Sequence, residues 1–253
     1  MMKVVGIIPA RYNSTRFPGK PLAMINGKTM IRRVCEQAWK SKLDAVVVAT
    51  DDMRIADEVL TFGGQYVLTK PNHQSGTDRC CEAMEILEEK YDAVINIQGD
   101  EPFIDPRQIN VLIDLISQED TQLASLAKRI DDEEELFSAN SVKVVMDNEG
   151  KALYFSRNPI PYLRNVAREQ WLDKCDFYQH VGIYAYKAAI LRQVATMQPS
   201  RLELAESLEQ LRWLENGLSI KMAVTDSVNV SVDIPSDLLK VEHLARTQTL
   251  YRG

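Results

Sequence analysis

Residues 3–22, KVVGIIPARYNSTRFPGKPL, join a short apolar run to a loop rich in positive charge. The run from Lys3 to Pro9 is largely β-branched, which predicts a buried strand. The loop from Pro9 to Lys20 then carries three cations, small hydroxyl side chains and backbone N–H groups within twelve residues. In open parallel sheets, ligands bind beyond the carboxyl ends of the strands, so this loop is a candidate binding site.

The same alternation of short strands and longer helical segments continues through the first half of the chain. Predicted strands cover 45–50, 65–69 and 93–98, and predicted helices cover 29–42, 77–90 and 105–117. Such a β-α-β-α order predicts an α/β fold in which a mostly parallel, Rossmann-like sheet has helices on both faces.

The second half of the chain has a different pattern of apolar and polar residues. Val142–Met146 and Ala152–Ser156 flank a turn and predict a β-hairpin. A polar stretch from 157 to 177 follows, and further helices are expected over 202–216 and 235–250. With no linker composition and no internal repeat, we expect one domain over 1–253 with a smaller β-rich and loop excursion around 140–186.

Composition excludes several classes of protein. The 253 residues are 45% hydrophobic and 26% charged, with 30 Lys plus Arg against 36 Asp plus Glu, a net charge of −6. This acidity argues against nucleic acid as a partner. The longest apolar runs are far shorter than the roughly 20 residues that span a bilayer, so no membrane insertion is expected. Four cysteines without a C-x-x-C pair favour reduced thiols and a cytoplasmic location.

The basic loop has the chemistry of a polyphosphate site. Arg11 and Arg16 offer bidentate hydrogen bonds, and Lys20 offers a mobile point charge. The alternative interpretation is a solvated basic loop. Neither a Walker A motif nor a G-x-G-x-x-G motif is present, so we expect neither a P-loop ATPase nor an NAD enzyme.

A second candidate feature lies at the end of the strand predicted over 93–98. The sequence Gln98-Gly99-Asp100-Glu101-Pro102 places two carboxylates there. Carboxylates facing a phosphate loop suit Mg²⁺, which binds one or two of them together with phosphate oxygens. The alternative is that Asp100 and Glu101 merely cap the segment that follows.

Several blocks together make a specific pattern: IPARY (8–12), STR (14–16), PGKPL (18–22), VATD (48–51), HQSGT (73–77), NIQGDEP (96–102), ALYFSR (152–157), HVGIY (180–184) and LEQLR (208–212). In this order the chain closely resembles the 3-deoxy-manno-octulosonate cytidylyltransferases, over nearly its whole length. The resemblance implies the nucleotide-diphospho-sugar transferase fold. It also implies CTP and the acid sugar 3-deoxy-D-manno-octulosonate (Kdo) as substrates, Mg²⁺ as cofactor and a homodimer. The expected reaction moves CMP to the anomeric hydroxyl of Kdo and releases pyrophosphate, in lipopolysaccharide biosynthesis.

The resemblance also assigns roles to residues. Those expected to bind the nucleotide are Arg11, Arg16, Lys20, Ser75, Gly76 and Arg79. The catalytic group is expected to be Lys20, Arg11, Asp100 and Asp233, with the two aspartates as metal ligands. The acid sugar is expected to contact Gln98, Arg157, His180, Tyr184, Glu209 and Gln210. The 140–186 excursion is expected to serve sugar binding and dimer contact.

One block departs from the family pattern. Where Gly-Val-Asp-Thr-Pro-Glu-Asp is expected, residues 231–237 read SVDIPSD. The metal-binding Asp233 is retained, and Asp237 is interpreted as an N-terminal helix residue.

Simpler structural interpretations remain open for other sites. Residues 75–78 could be a helix N-terminus capped by Thr77. His180 could be a half-buried strand histidine bonded to backbone, and Tyr184 could be plain core packing.

Two functional alternatives also stay open. The first is a cytidylyltransferase for another acid sugar such as a sialic acid, although those enzymes have a first loop of the Ala-Arg-x-Gly-Ser-Lys kind, which is absent here. The second is a non-catalytic nucleotide-binding protein on the same scaffold.

Overall fold

The structure is a computed structural model that describes residues 2–247, with side chains described for residues 2–244. The strands in chain order are β1 Val4–Ala10, β2 Met24–Ile25, β3 Lys28–Thr29, β4 Ala45–Thr50, β5 Gln65–Leu68, β6 Ala93–Asn96, β7 Leu123–Ile130, β8 Lys143–Met146, β9 Ala152–Ser156, β10 Phe177–Lys187 and β11 Lys221–Val224. The α-helices are α1 Met30–Ala38, α2 Met53–Thr61, α3 Gly76–Ile86, α4 Pro106–Ile116, α5 Glu133–Phe137, α6 Trp171–Lys174, α7 Ala188–Ala195, α8 Arg201–Glu206, α9 Glu209–Glu215 and α10 Asp237–Thr247.

The chain divides into two compact units. The first unit joins the residues up to Ile113 with those from Val228 onward, and the second comprises Asp114–Ser227. No helix within residues 2–247 is long and apolar enough to cross a membrane.

The first unit is built on a parallel sheet in the order β6-β1-β4-β5. The central strand β1 pairs through Val5 with Ala45 of β4 and with Val94 of β6. Its apolar run is buried along nearly its whole length, as a strand covered on both faces requires. The prediction of a mostly parallel α/β sheet is therefore confirmed. Because the strands are parallel, the loops after β1, β4 and β6 emerge at the same edge.

A C-terminal segment closes the first unit. Val232 and Val241 pack with Ile25 and Met30 in a buried apolar cluster. The last described helix begins at Asp237 instead of at the predicted residue 235, and residues 248–250 of that prediction lie outside the described residues. This packing carries the segment around Asp233 to the first unit.

The second unit is mainly antiparallel. The predicted hairpin is confirmed as β8 and β9, which pair antiparallel, and β8 also pairs with β10. Strand β10 runs antiparallel to β7, with an irregularity between Val181 and Tyr184, and β11 runs parallel to β7. The polar stretch after β9 is held by Trp171, which is buried and stacks on Phe177 with ring centroids 5.8 Å apart.

The single helix expected over 202–216 is wrong, because the structure has two helices there, α8 and α9. Ser207 adopts a left-handed backbone conformation (φ 53°) that ends α8. Ser200 and Glu203 form a capping box that starts α8 at Arg201. Consequently Glu209 and Gln210 lie at the start of α9 and not in a helix interior.

Candidate active site

A cavity of about 310 Å³ lies at the carboxyl edge of the parallel sheet of the first unit. It is lined by the basic loop after β1, the N-terminal turn of α3, the loop after β6 and the C-terminal segment. Nine residues that the sequence predicted for the site line this cavity: Arg11, Arg16, Lys20, Ser75, Gly76, Arg79, Gln98, Asp100 and Asp233.

Lys20 occupies the centre of the polar contacts in the cavity. Its Nζ atom donates to Asp100 Oδ2 at 2.7 Å and to the carbonyl of Val232 at 3.0 Å. The side chains of Lys20 and Asp100 are only 15% and 27% exposed, so solvent screens this pair less than a surface ion pair. One ammonium thus links the loop after β6 to the C-terminal segment.

Local backbone geometry aims Lys20 into the cavity. Gly19 has φ 71°, and an added Cβ would lie 3.2 Å from the ring of Tyr12, so glycine is required on both grounds. The Gly19 N–H donates to the Tyr12 carbonyl at 2.8 Å. The Arg54 guanidinium lies 3.3 Å from the centroid of the Tyr12 ring, and Asp52 holds Arg54 by two hydrogen bonds. The basic loop is therefore folded around Tyr12.

Asp100 and Asp233 are brought together by the backbone. The Val232 N–H donates to the Asp100 carbonyl at 3.0 Å, and Arg16 donates to Asp233 Oδ1 at 2.9 Å. Asp237 accepts from the N–H groups of Asp233 and Ile234, which lowers the pKa of the Asp237 carboxyl and agrees with its interpretation as an N-terminal helix residue. Both predicted metal ligands therefore line one cavity, each paired to a cation of the basic loop.

The donor set suits Mg²⁺. Asp100 and Asp233 supply hard carboxylate oxygens, which this ion prefers, and it completes its octahedron with water and phosphate oxygens. Within residues 2–244 no group of three or more His, Cys, Asp or Glu side chains could hold a metal ion without such help. The residues present therefore fit an ion that arrives with a polyphosphate.

Glu101 points into the protein behind the cavity. It is buried, and it accepts from Asn229 Nδ2 at 2.6 Å, while Asn229 Oδ1 accepts from Gln108 at 2.6 Å. Burial raises the pKa of the Glu101 carboxyl to about 7. These hydrogen bonds form a second connection between the loop after β6 and the C-terminal segment. No sequence pattern points to Asn229, because its partners lie more than a hundred residues away.

The residues that the sequence predicted to contact the nucleoside lie at the start of α3. The alternative of a helix N-terminus at residues 75–78 is confirmed, but the cap is Ser75, in a capping box with Asp78, and not Thr77. A Cβ added to Gly76 would lie 3.3 Å from Pro9, so this turn packs closely on the end of β1. The N-terminal turn of a helix presents free N–H groups to an anionic ligand.

Arg79 lines the cavity, and its side chain is buried. It is 4% exposed, and it donates to Thr69 Oγ1 at 2.6 Å and lies 3.4 Å from Asp51 Oδ2. The other oxygen of Asp51 is buried without a hydrogen-bond partner among the described residues. Arg79 is therefore a fixed group, anchored at the ends of β4 and β5.

His73 is a cavity residue to which the sequence analysis gave no role. Its Nε2 atom is hydrogen bonded to Glu82 Oε2, and Glu82 also accepts from the Lys70 N–H at 2.8 Å. These bonds lower the pKa of the Glu82 carboxyl. The pair braces the loop that precedes α3, and His73 belongs to the quoted block HQSGT.

The remaining predicted sugar residues lie in the second unit. His180 and Tyr184 are in ring contact on β10, with centroids 5.3 Å apart, and Tyr184 packs edge-on against Trp213. Burial lowers the pKa of His180 to about 3, and burial together with Glu209 raises the pKa of Tyr184 well above its usual value. Gln210 is 4% exposed. Gln98, predicted for the same substrate, lines the cavity of the first unit.

The structure shows that the Arg157 guanidinium is largely engaged with backbone. It donates to the carbonyls of Glu206 (2.7 Å), Ala139 (3.0 Å) and Ser207 (3.3 Å). A guanidinium has five N–H donors, so two stay available for a ligand carboxylate. Lys143, which is fully buried, fixes the same region by donating to the Arg157 carbonyl at 2.5 Å.

A cavity that pairs a cationic loop with two carboxylates at the edge of a parallel sheet is typical of enzymes that act on nucleoside triphosphates. A model of the cytidylyltransferase family matches residues 5–221. The protein is therefore a nucleotidyltransferase of the cytidylyltransferase type.

Individual relatives narrow this class. The chain is 54% identical to the 3-deoxy-manno-octulosonate cytidylyltransferase of Parabacteroides distasonis over 244 residues, which cover 95% of this chain and 97% of that protein. It is also 54% identical to the protein of the same name from Cytophaga hutchinsonii over 244 residues, which cover 96% of this chain and 97% of that protein. The chain belongs to the 3-deoxy-manno-octulosonate cytidylyltransferase family, as the sequence blocks predicted.

A solved structure agrees with this assignment. CMP:2-keto-3-deoxy-manno-octonic acid synthetase, complexed with CTP, superposes with a TM-score of 0.90 and is 41% identical. The similarity covers 97% of this chain and 99% of that one.

Proposed function

We propose that this protein transfers CMP from CTP to the anomeric hydroxyl of Kdo and releases pyrophosphate. The observation that carries the proposal is the cavity of the first unit, where Lys20, Asp100 and Asp233 meet. That cavity has the charges that a nucleoside triphosphate and its cation require. The names of the similar proteins supply the substrate pair.

The basic loop holds the triphosphate. Arg11 and Arg16 donate bidentate hydrogen bonds to phosphate oxygens, and Ser75 and Gly76 at the start of α3 line the same cavity. In the structure Arg16 is paired with Asp233 and Lys20 with Asp100. Binding of the triphosphate therefore exchanges carboxylate partners for phosphate partners at both cations.

Asp100 and Asp233 hold Mg²⁺. When bound, the ion supplies charge neutralisation and orientation for the reacting phosphate oxygens. The two carboxylates lie on segments that Val232 and Lys20 join by hydrogen bonds, so their separation is fixed by the fold.

The reaction needs no side-chain nucleophile. The anomeric oxygen of Kdo forms a bond to the α-phosphorus, and the bond from that phosphorus to the bridging oxygen breaks, its electron pair leaving with pyrophosphate. The hydroxyl proton passes to solvent water. Positioning and charge stabilisation dominate such transfers. Lys20 and Arg11 stabilise the negative charge that develops on the leaving pyrophosphate.

The acid sugar binds to polar side chains of the second unit. The free N–H groups of Arg157 hold the carboxylate, and His180, Tyr184, Glu209 and Gln210 hold the hydroxyls. Arg157 is suited to this role because its guanidinium is fixed by three backbone carbonyls before any ligand arrives.

The biological setting forms part of the proposal. CMP-Kdo made by this reaction enters lipopolysaccharide biosynthesis in the cytoplasm. The protein acts as a homodimer, in which the excursion around 140–186 contributes contacts. The exposed Leu153 and Tyr162 on this excursion supply apolar surface for such a contact.

Pyrophosphate release tests the proposal. The purified protein is assayed with Mg²⁺ and CTP, UTP or ATP, each combined with Kdo or a sialic acid. We expect release only with CTP and Kdo, and at least about 100-fold less in Asp100→Asn, since one electrostatic element of the transition state is lost. Asp57→Asn, an exposed acid on α2, is the matched control. CTP binding without pyrophosphate release in any combination would contradict the proposal.

A further inference from the structure

An irregularity in the second unit surrounds one buried hydroxyl. Strand β10 has two extra residues between Val181 and Tyr184. Val181 and Tyr184 themselves pair with two adjacent residues of β7, Leu126 and Ser125. Ser125 is completely buried. Its Oγ atom lies 2.9 Å from the carbonyl oxygen of Ile183, 3.2 Å from that of Val181 and 3.0 Å from Nε2 of His180.

Hydrogen-bond accounting decides the direction of these contacts. A hydroxyl has one proton, a carbonyl oxygen can only accept, and an imidazole nitrogen can donate or accept. If Ser125 donated to His180, two carbonyl oxygens would face the lone pairs of its oxygen at 2.9 and 3.2 Å. When Ser125 shares its proton between the two carbonyls instead, with the nearer Ile183 carbonyl as the main acceptor, its lone pair accepts an N–H from Nε2.

We propose that Ser125 fixes the tautomer of His180, with the proton on Nε2 and an unprotonated Nδ1 as a hydrogen-bond acceptor. Ser125 is then a positioning residue that acts on substrate through His180. Within residues 2–244 no hydrogen bond joins Nδ1 to another protein group, which leaves that atom for a ligand.

The surroundings of the ring keep it neutral. Phe155 of β9 lies against it with centroids 4.9 Å apart, Tyr184 of β10 lies on another side, and Ser125 comes from β7. No carboxylate among the described side chains is hydrogen bonded to the ring. Burial among these neighbours disfavours the imidazolium form.

A neutral imidazole ring with an unprotonated Nδ1 prefers hydrogen-bond donors as ligands. It accepts a hydrogen bond from a hydroxyl group and repels a carboxylate. This step rests on the proposed function, since it identifies the bound group as a hydroxyl of the acid sugar. The sugar carboxylate must then bind elsewhere, which agrees with its placement at Arg157.

Nitrogen NMR of the histidines reads the tautomer directly. The chain contains only three histidines, so the ¹⁵N-labelled spectrum is simple, and His180→Gln assigns the signals by their loss. In the wild type we expect a protonated Nε2 and an unprotonated Nδ1. A protonated Nδ1 in the wild type would overturn the proposal, whatever the variants do.

Kinetics separate positioning from structure. In Ser125→Ala we expect the tautomers to mix and KM for the acid sugar to rise roughly tenfold, while KM for CTP stays within about twofold. Ser125→Thr keeps a hydroxyl and should restore both readouts. Ser141→Ala is the matched control, because Ser141 is buried in the same unit and its Oγ has no partner among the described residues.

The two proposals fail separately. An unchanged tautomer and an unchanged KM for the acid sugar in Ser125→Ala would contradict the role of Ser125. A wild type that shows the expected tautomer but releases no pyrophosphate with any acid sugar would contradict the proposed function and still support the assignment of Ser125.

Discussion

Replacing Lys20 by methionine should produce two effects of opposite sign. In the structure the Nζ atom of Lys20 donates to Asp100 Oδ2 at 2.7 Å, so the ammonium competes with a divalent ion for that carboxylate. When CTP is bound, we expect the same ammonium to stabilise phosphate charge. Lys20→Met should therefore bind a divalent ion more tightly without nucleotide, yet lose turnover.

The structure sets the size of each effect. The Lys20–Asp100 pair is only partly exposed, so it lies between a surface ion pair and a buried one, at about 1–2 kcal/mol. Its loss should tighten Mn²⁺ binding to the nucleotide-free protein by about 5- to 30-fold. Turnover should fall by at least about 100-fold, because a charge that stabilises the leaving pyrophosphate is gone.

Mn²⁺ binding followed by electron paramagnetic resonance measures the first effect, and pyrophosphate release measures the second. Lys28→Met is the matched control, since Lys28 is paired with Glu36 at 2.6 Å and does not line the cavity. It removes the same charge and should change neither quantity by more than about twofold. Weaker Mn²⁺ binding in Lys20→Met, or turnover within tenfold of the wild type, would refute this reasoning.

Three further changes test the supports of the site. Lys143→Met leaves three carbonyls without the donation of the buried Lys143 ammonium and should lower the free energy of unfolding by about 3–5 kcal/mol. Lys151→Met, at an exposed ion pair, should change it little in the same urea titrations. Asn229→Ala removes the donor to the buried Glu101 carboxyl and should lower the free energy of unfolding by about 2 kcal/mol. It should also raise the Mg²⁺ concentration needed for half-maximal activity, and an unchanged Mg²⁺ requirement would count against this link. Burial lowers the pKa of His180 to about 3 in the folded protein, so on acidification this side chain is protonated first in the unfolded chain. The free energy of unfolding should therefore fall by about 2 kcal/mol between pH 7 and pH 5. His180→Gln should remove this loss from the unfolding curves.

Local signals predicted much of the fold. The run from Lys3 to Pro9 predicted the central strand, because a short run of β-branched residues that is buried on both faces is typical of a strand in a parallel sheet. The hairpin of β8 and β9 followed from its turn. The break at Ser207 was missed, because a left-handed serine carries no mark that distinguishes it from a helical one.

The site could be predicted as far as its chemistry was local. Arg11, Arg16 and Lys20 are close in sequence, and Asp100 ends a strand, so their placement at one sheet edge follows from topology. The assignment of Asp233 to the same cavity depended on the family resemblance, since the contact joining it to Arg16 spans 217 residues.

The supporting groups could not be predicted in this way. Asn229 and Ser125 are unremarkable polar residues in the sequence. Their partners come from distant parts of the chain, and only the three-dimensional fold brings them together.

The central claim is that Asp100 and Asp233 hold one divalent ion against the triphosphate of CTP. A crystal structure of the protein with CTP and Mn²⁺, with the ion located by its anomalous scattering, measures this directly. We predict a peak within about 2.5 Å of a carboxylate oxygen from each aspartate and in contact with a phosphate oxygen. A bound CTP whose ion contacts neither carboxylate, or whose triphosphate lies away from Lys20, would contradict the account.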